Sequence, residues 1–82
     1  MRSSELESVI RKFIVSDLGA IDEDELDTDT NLIASGILDS MSAMRLVNLI
    51  ETTLELKIPP KDLLPKNFMT VQAIVSYLES RN

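Results

Sequence analysis

Gly36-Ile37-Leu38-Asp39-Ser40-Met41-Ser42-Ala43-Met44-Arg45-Leu46-Val47-Asn48-Leu49-Ile50 is the stretch on which the reading of this chain turns. It passes from an aperiodic segment into a helix predicted from about Ser40 to Leu54. Arg45, Asn48, Thr52 and Glu55 fall on one polar stripe, and Met41, Ala43, Met44, Leu46, Val47, Leu49 and Ile50 cover most of the rest. That apolar arc is wider than one core-facing stripe requires, so some of these side chains should stay at the surface. Asp39 or Ser40 is placed to cap the free N–H groups of the first turn. The same helix end can stabilise an anion, including a phosphate attached at or near Ser40. An Asp-Ser pair alone does not decide between these roles.

Upstream, Leu6, Val9, Ile10, Phe13, Ile14 and Leu18 recur at three- and four-residue spacing, which predicts a first helix. Ser4-x-x-Glu7 offers a capping box at its start, and Gly19 follows its end. A long connection from Gly19 to Asp39 has no sustained period. It is acidic from Asp22 to Asp29 and then apolar at Leu32, Ile33, Ile37 and Leu38, which should pin it to the core. Loops of this length are uncommon in compact domains and tend to be functional. Downstream, Lys57-Ile58-Pro59-Pro60 ends the second helix. Lys61-Asp62-Leu63-Leu64 has room for a single turn before Pro65. A last helix opens at Thr70 and buries Val71, Ile74, Val75 and Leu78. No window alternates with period two. The expected fold is all-α: a four-helix bundle of three main helices and one short one, with a long loop between the first and second, residues 1–82 forming one domain.

Composition removes whole classes of chemistry. With no His and no Cys, the chain has no Ser-His or Cys-His nucleophilic pair and no Cys/His zinc site. It has no disulfide framework either. Eight basic residues against fourteen acidic ones give a net charge of −6, which disfavours nucleic acid and favours basic protein surfaces as partners. No apolar run is long enough to span a bilayer, and Met1-Arg2-Ser3-Ser4-Glu5 leads into no signal-type hydrophobic stretch, so a cytoplasmic location is expected.

The wider pattern from residue 32 to residue 78 resembles the carrier-protein family of acyl, peptidyl and aminoacyl carriers. Leu32 is followed by Gly36-x-x-Asp39-Ser40-Met41, then by Leu46, Leu49 and Glu51 along the helix. Ile58-Pro59 with Asp62-Leu63 comes next, and Asn67-Phe68-x-Thr70-Val71 opens the final helix. The resemblance implies that Ser40 is the attachment site for 4′-phosphopantetheine derived from coenzyme A, placed there by a phosphopantetheinyl transferase that Asp39 helps to recognise. It implies a monomer with no catalytic residues and no metal of its own. Acyl or aminoacyl groups would ride on the cofactor thiol as thioesters, delivered by a loading ligase or transferase and passed to biosynthetic enzymes. Gly36 would supply backbone freedom for the turn.

Two departures carry information. Met41 stands where Leu is common, a volume-conserving change. Ser42 and Arg45 stand where fatty-acid carriers usually show carboxylates, and the run from Ser40 to Val47 looks closer to peptidyl carriers. Asp39 before the serine is instead typical of acyl and of stand-alone aminoacyl or D-alanyl carriers. A specialised acyl carrier is therefore expected rather than the housekeeping fatty-acid one, with an aminoacyl or peptidyl carrier as the alternative. An unmodified helical adaptor is the reading from a different class. Met41, Met44 and Arg45 are the expected partner-binding residues, while Glu51 and Glu55 are expected to be solvated. The acidic loop places Asp27, Asp29 and Asn31 at the first, third and fifth positions of a calcium loop. It puts Leu32 and Leu38 where glycine and a bidentate glutamate are needed, so no specific metal site is expected.

Overall fold

In the computed structural model, which describes residues 2–19 and 21–81, the decisive stretch forms helix α2, Ser40–Leu54. Met1 in the N-terminal run, Ala20 in the long connection and Asn82 lie outside the described residues. Leu46, Val47 and Ile50 turn inward from α2. The helix ends at Glu55, which adopts a left-handed conformation (φ 53°) and whose N–H donates to Glu51 O. Pro59 and Pro60 then keep α2 from resuming. Glu51 departs from expectation: its half-buried carboxylate accepts a 2.8 Å hydrogen bond from Ile58 N–H and ties down the chain leaving α2.

Helix α1, Ser3–Lys12, buries Leu6 and Ile10, and the chain continues at the wider π-helical pitch over Phe13–Leu18, burying Ile14. Gly19, at φ 62°, closes this segment in the left-handed region that glycine tolerates. The expected box at Ser4 and Glu7 does not form, because the helix begins two residues earlier. Arg2 occupies the cap position, and its N–H donates to the Glu5 carboxylate at 3.4 Å.

The fourth, short helix also lies elsewhere than expected. A 3₁₀ turn spans Pro60–Asp62, and α3 follows at Pro65–Phe68. Pro65 sits at the start of α3, where its missing N–H costs nothing and its fixed φ favours helix. Helix α4, Val71–Ser80, is capped by Thr70 Oγ1, which accepts from Ala73 N–H at 2.9 Å. It buries Val71, Ile74, Val75 and Leu78 against α1 and the rest of the core, each burial contributing roughly 1.5–3 kcal/mol. The four α-helices and the absence of strands among the described residues bear out the all-α bundle.

The long connection is held in place from behind. Leu32 N–H donates to Met69 O at 2.7 Å, and Gln72 N–H to Thr28 O at 3.0 Å, so the loop is stitched to the start of α4. Leu26, Leu32, Ile37 and Leu38 are buried, whereas Ile33 remains 41% exposed. The difference has a local cause. Asn31 Oδ1 accepts from Ile33 N–H and Ala34 N–H, a turn that leaves Ile33 on its outer side. Among the described residues no three carboxylates gather closely enough to hold a metal ion.

Candidate functional site

The loop delivers its last residues to the N-terminus of α2 in one geometry. Gly36 turns at φ 83°, and Leu38 N–H then donates back to Leu32 O at 2.8 Å. Asp39 follows as an extended N-cap. Its Oδ1 accepts from Met41 N–H at 3.0 Å and Ser42 N–H at 2.9 Å, while its carbonyl accepts from Ala43 N–H. Ser42 closes a capping box. Its Oγ accepts from Asp39 N–H at 2.9 Å and can donate its single proton to Asp39 Oδ1 or to Ile37 O. The bonds from Ser42, backbone first and then hydroxyl, hold the Asp39 carboxyl below its usual value, with slight desolvation opposing them and the Met41 N–H adding to them.

Of the two candidate caps, Asp39 therefore serves, and Ser40 is left free. Ser40 is exposed in the first turn of α2, and its hydroxyl makes no hydrogen bond among the described residues. A neutral, unhindered hydroxyl of this kind fits covalent attachment of a phosphodiester. The charge that complements the start of α2 is Asp39's own carboxylate, so the helix does not reserve those two N–H groups for a phosphate on Ser40.

Beside Ser40 opens a groove of about 580 Å³, with Leu38, Ala43, Met44 and Val47 on one side and Leu63, Leu64, Pro65 and Phe68 on the other. Met44 is 50% exposed at its rim, and Met41, at 84%, projects outside it. Arg45 is exposed and forms no ion pair among the described residues. Met41, Met44 and Arg45 share one face of α2 by their three- and four-residue spacing. The structure thus groups Ser40, Asp39 and Met44 at the groove and sets Met41 and Arg45 beside it. Two features escaped the sequence reading: the capping role of Ser42 and the groove wall from Leu63 to Phe68. The apolar run after the prolines was the available signal for the wall.

The small helical bundle thus presents an exposed serine hydroxyl at a helix start, beside an apolar groove, an arrangement that suits covalent attachment of a group to that serine. Residues 8–78 match the phosphopantetheine attachment site family, and the chain belongs to that family. It is a non-catalytic carrier protein whose cofactor is covalently attached 4′-phosphopantetheine. Once bound, the cofactor supplies the thiol that this cysteine-free chain lacks.

Two solved structures share the fold. One is a chain in the crystal structure of a FAD-dependent dehydrogenase, 34% identical over 83% of this chain and 96% of that one, with a TM-score of 0.75. The other is the carrier protein from Agrobacterium tumefaciens bound to an engineered Bradyrhizobium japonicum glycine:[carrier protein] ligase with ATP. It is 25% identical over 92% of this chain and 97% of that one, with a TM-score of 0.77. Comparison with curated proteins gave no match. No helix among the described residues is long and apolar enough to cross a membrane.

Proposed function

We propose that this chain is a specialised cytoplasmic carrier, a single-domain monomer, modified on Ser40 and loaded with an acyl group. The observation that carries this reading is the free Ser40 hydroxyl at the rim of an apolar groove. Ser40 Oγ attacks the pantetheine-side phosphorus of coenzyme A, forming a new P–O bond as the pyrophosphate P–O bond breaks. Adenosine 3′,5′-bisphosphate leaves, and the serine proton passes to a base on the transferase. Asp39 stands exposed next to Ser40, its cap bonds all made through one carboxylate oxygen, and is available to that transferase. Leu38, Val47 and Phe68 then offer apolar surface to the first carbons of the cargo.

A second reading, aminoacyl cargo, is favoured by the likeness to a carrier held by an amino-acid ligase. On either reading the loading partner is a ligase or transferase that joins the cargo's carboxyl carbon to the cofactor thiol as a thioester. The free cation at Arg45 and the exposed Met41 and Met44 suit a partner face with apolar side chains and a carboxylate.

Intact-mass measurement after incubation with coenzyme A and a broad-specificity phosphopantetheinyl transferase tests the attachment. One phosphopantetheine should be added to the wild type and none to Ser40→Ala, which should still fold. An unmodified wild type, where a control carrier is loaded, would remove Ser40 from the role. Hydroxylamine treatment of the loaded protein isolated from its source then separates the cargo readings, because it releases either an acyl or an aminoacyl hydroxamate.

A further inference from the structure

The wall of the groove facing α2 is built from two short elements. A 3₁₀ turn and a four-residue helix hold too few internal hydrogen bonds to keep their own shape. They are held from the rear, and the bonds converge on Asp62. Its carboxylate Oδ2 accepts from Tyr77 Oη–H at 2.6 Å and pairs with Arg81 at 3.6 Å. Its carbonyl accepts from Asn67 Nδ2 at 2.8 Å and from Leu64 N–H at 2.8 Å. The Tyr77 ring packs at a tilt against Phe68, with centroids 5.9 Å apart, and Arg81 lies 6.0 Å over the same ring and donates to its hydroxyl. Burial and the bond to Asp62 push the ionisation of Tyr77 up, so the hydroxyl remains a donor near neutral pH.

Leu63, Leu64 and Phe68, the apolar front of this wall, therefore stand where Asp62 and Tyr77 hold them. We propose that Asp62, Tyr77 and Arg81 are positioning residues that set how far the groove beside Ser40 opens, and hence the length of acyl group that it shelters. This rests on the reading of the groove as the cargo's resting place. Asp62 is the node, because one residue anchors the wall through both its side chain and its carbonyl. Tyr77 links it to α4, whose burial makes it a rigid support. Arg81 reinforces the pair from a partly exposed position and contributes less.

The test uses the full-length protein, charged on Ser40 from acetyl-, butyryl-, hexanoyl-, octanoyl- and decanoyl-coenzyme A by a broad-specificity transferase. Cleavage of each thioester by hydroxylamine is compared with that of the free acyl-pantetheine. In the wild type, protection should rise with chain length to about threefold or more and then level off, as expected when the sheltered state predominates. Tyr77→Phe keeps the ring against Phe68 but loses the bond to Asp62. It should shift the chain length at which protection levels off, while acetyl cleavage stays unchanged. Asp62→Ala should do the same, and Asp62→Asn, which still accepts from Tyr77, should stay close to the wild type. Arg81→Gln should move the profile least. Circular dichroism melts confirm that each variant is folded, and a profile unaltered in folded Tyr77→Phe would overturn the proposal. If the wild type protects no chain length, the groove reading fails and the positioning role falls with it, while attachment to Ser40, read by mass, stands independently.

Discussion

At Asp39 a single carboxylate oxygen receives two backbone donors, one of them from Ser42 three residues on, whose hydroxyl oxygen in turn accepts from Asp39 N–H. The cap thus orders the residue on either side of Ser40 without using the Ser40 hydroxyl. Because folding lowers the Asp39 pKa, its contribution to stability is fully present above the unfolded carboxyl value and is lost as pH falls through the lower folded one. An NMR titration of the Asp39 carboxyl should therefore give a midpoint below that of an unstructured aspartate. Ser42→Ala, which removes the hydroxyl bonds, should raise that midpoint and lower the melting temperature by a few degrees. An unchanged midpoint in Ser42→Ala would show that the backbone donors alone set it. The capping pair could be narrowed from the sequence to Asp39 or Ser40. The role of Ser42 could not, because a capping box with serine at its third position looks like an ordinary polar residue until the backbone is placed.

On helix α2 the surplus of apolar residues has a structural explanation. Leu46, Val47 and Ile50 fill the core, Ala43 and Met44 line the groove, and Met41 stands clear of both. Arg45 shares the outer face with Met41 and Met44, so charge reversal there should act on recognition and not on folding. Arg45→Glu should slow loading by the cognate loading enzyme roughly threefold to tenfold at low salt, with a smaller effect at moderate salt. Its melting temperature should match the wild type closely, since an exposed charge contributes at most about 1 kcal/mol. Equal loading rates at both salt concentrations would take Arg45 out of the interface. The bounds of α2 and the start of α4 could be read in the sequence because cap, period and proline coincide there. The short helix was misplaced because Pro65 was read as a stop, when a proline at the first helical position is a start.

Across the whole molecule the net charge of −6 is unevenly spread, with Asp22, Glu23, Asp24, Glu25, Asp27 and Asp29 crowded into the connection ahead of the buried Leu32. No cation-holding cluster forms there among the described residues, so the carboxylates repel one another through solvent. Screening over about 8–10 Å relieves part of that repulsion whatever the counterion. Sodium chloride at matched ionic strength should reproduce most of the gain in melting temperature seen with magnesium or calcium, and Asp27→Asn should be neutral or slightly stabilising. A saturable shift with calcium alone, abolished by Asp27→Asn, would instead establish a true metal site. The periodic apolar positions and the prolines were enough by themselves to specify an all-helical bundle and its outward-facing helix face, and the motif around Ser40 carried the resemblance to the family that the chain belongs to. Those features are local, and each is written in residues adjacent along the chain or one helical turn apart. The groove, the use of Leu26 in place of Ile33 in the core, the Glu51 tie to Ile58 and the convergence of Tyr77 and Arg81 on Asp62 were decided by the tertiary structure alone. Each joins residues through packing or side-chain bonds that no sequence period encodes, and they exist only once α2, α3 and α4 have closed around one core.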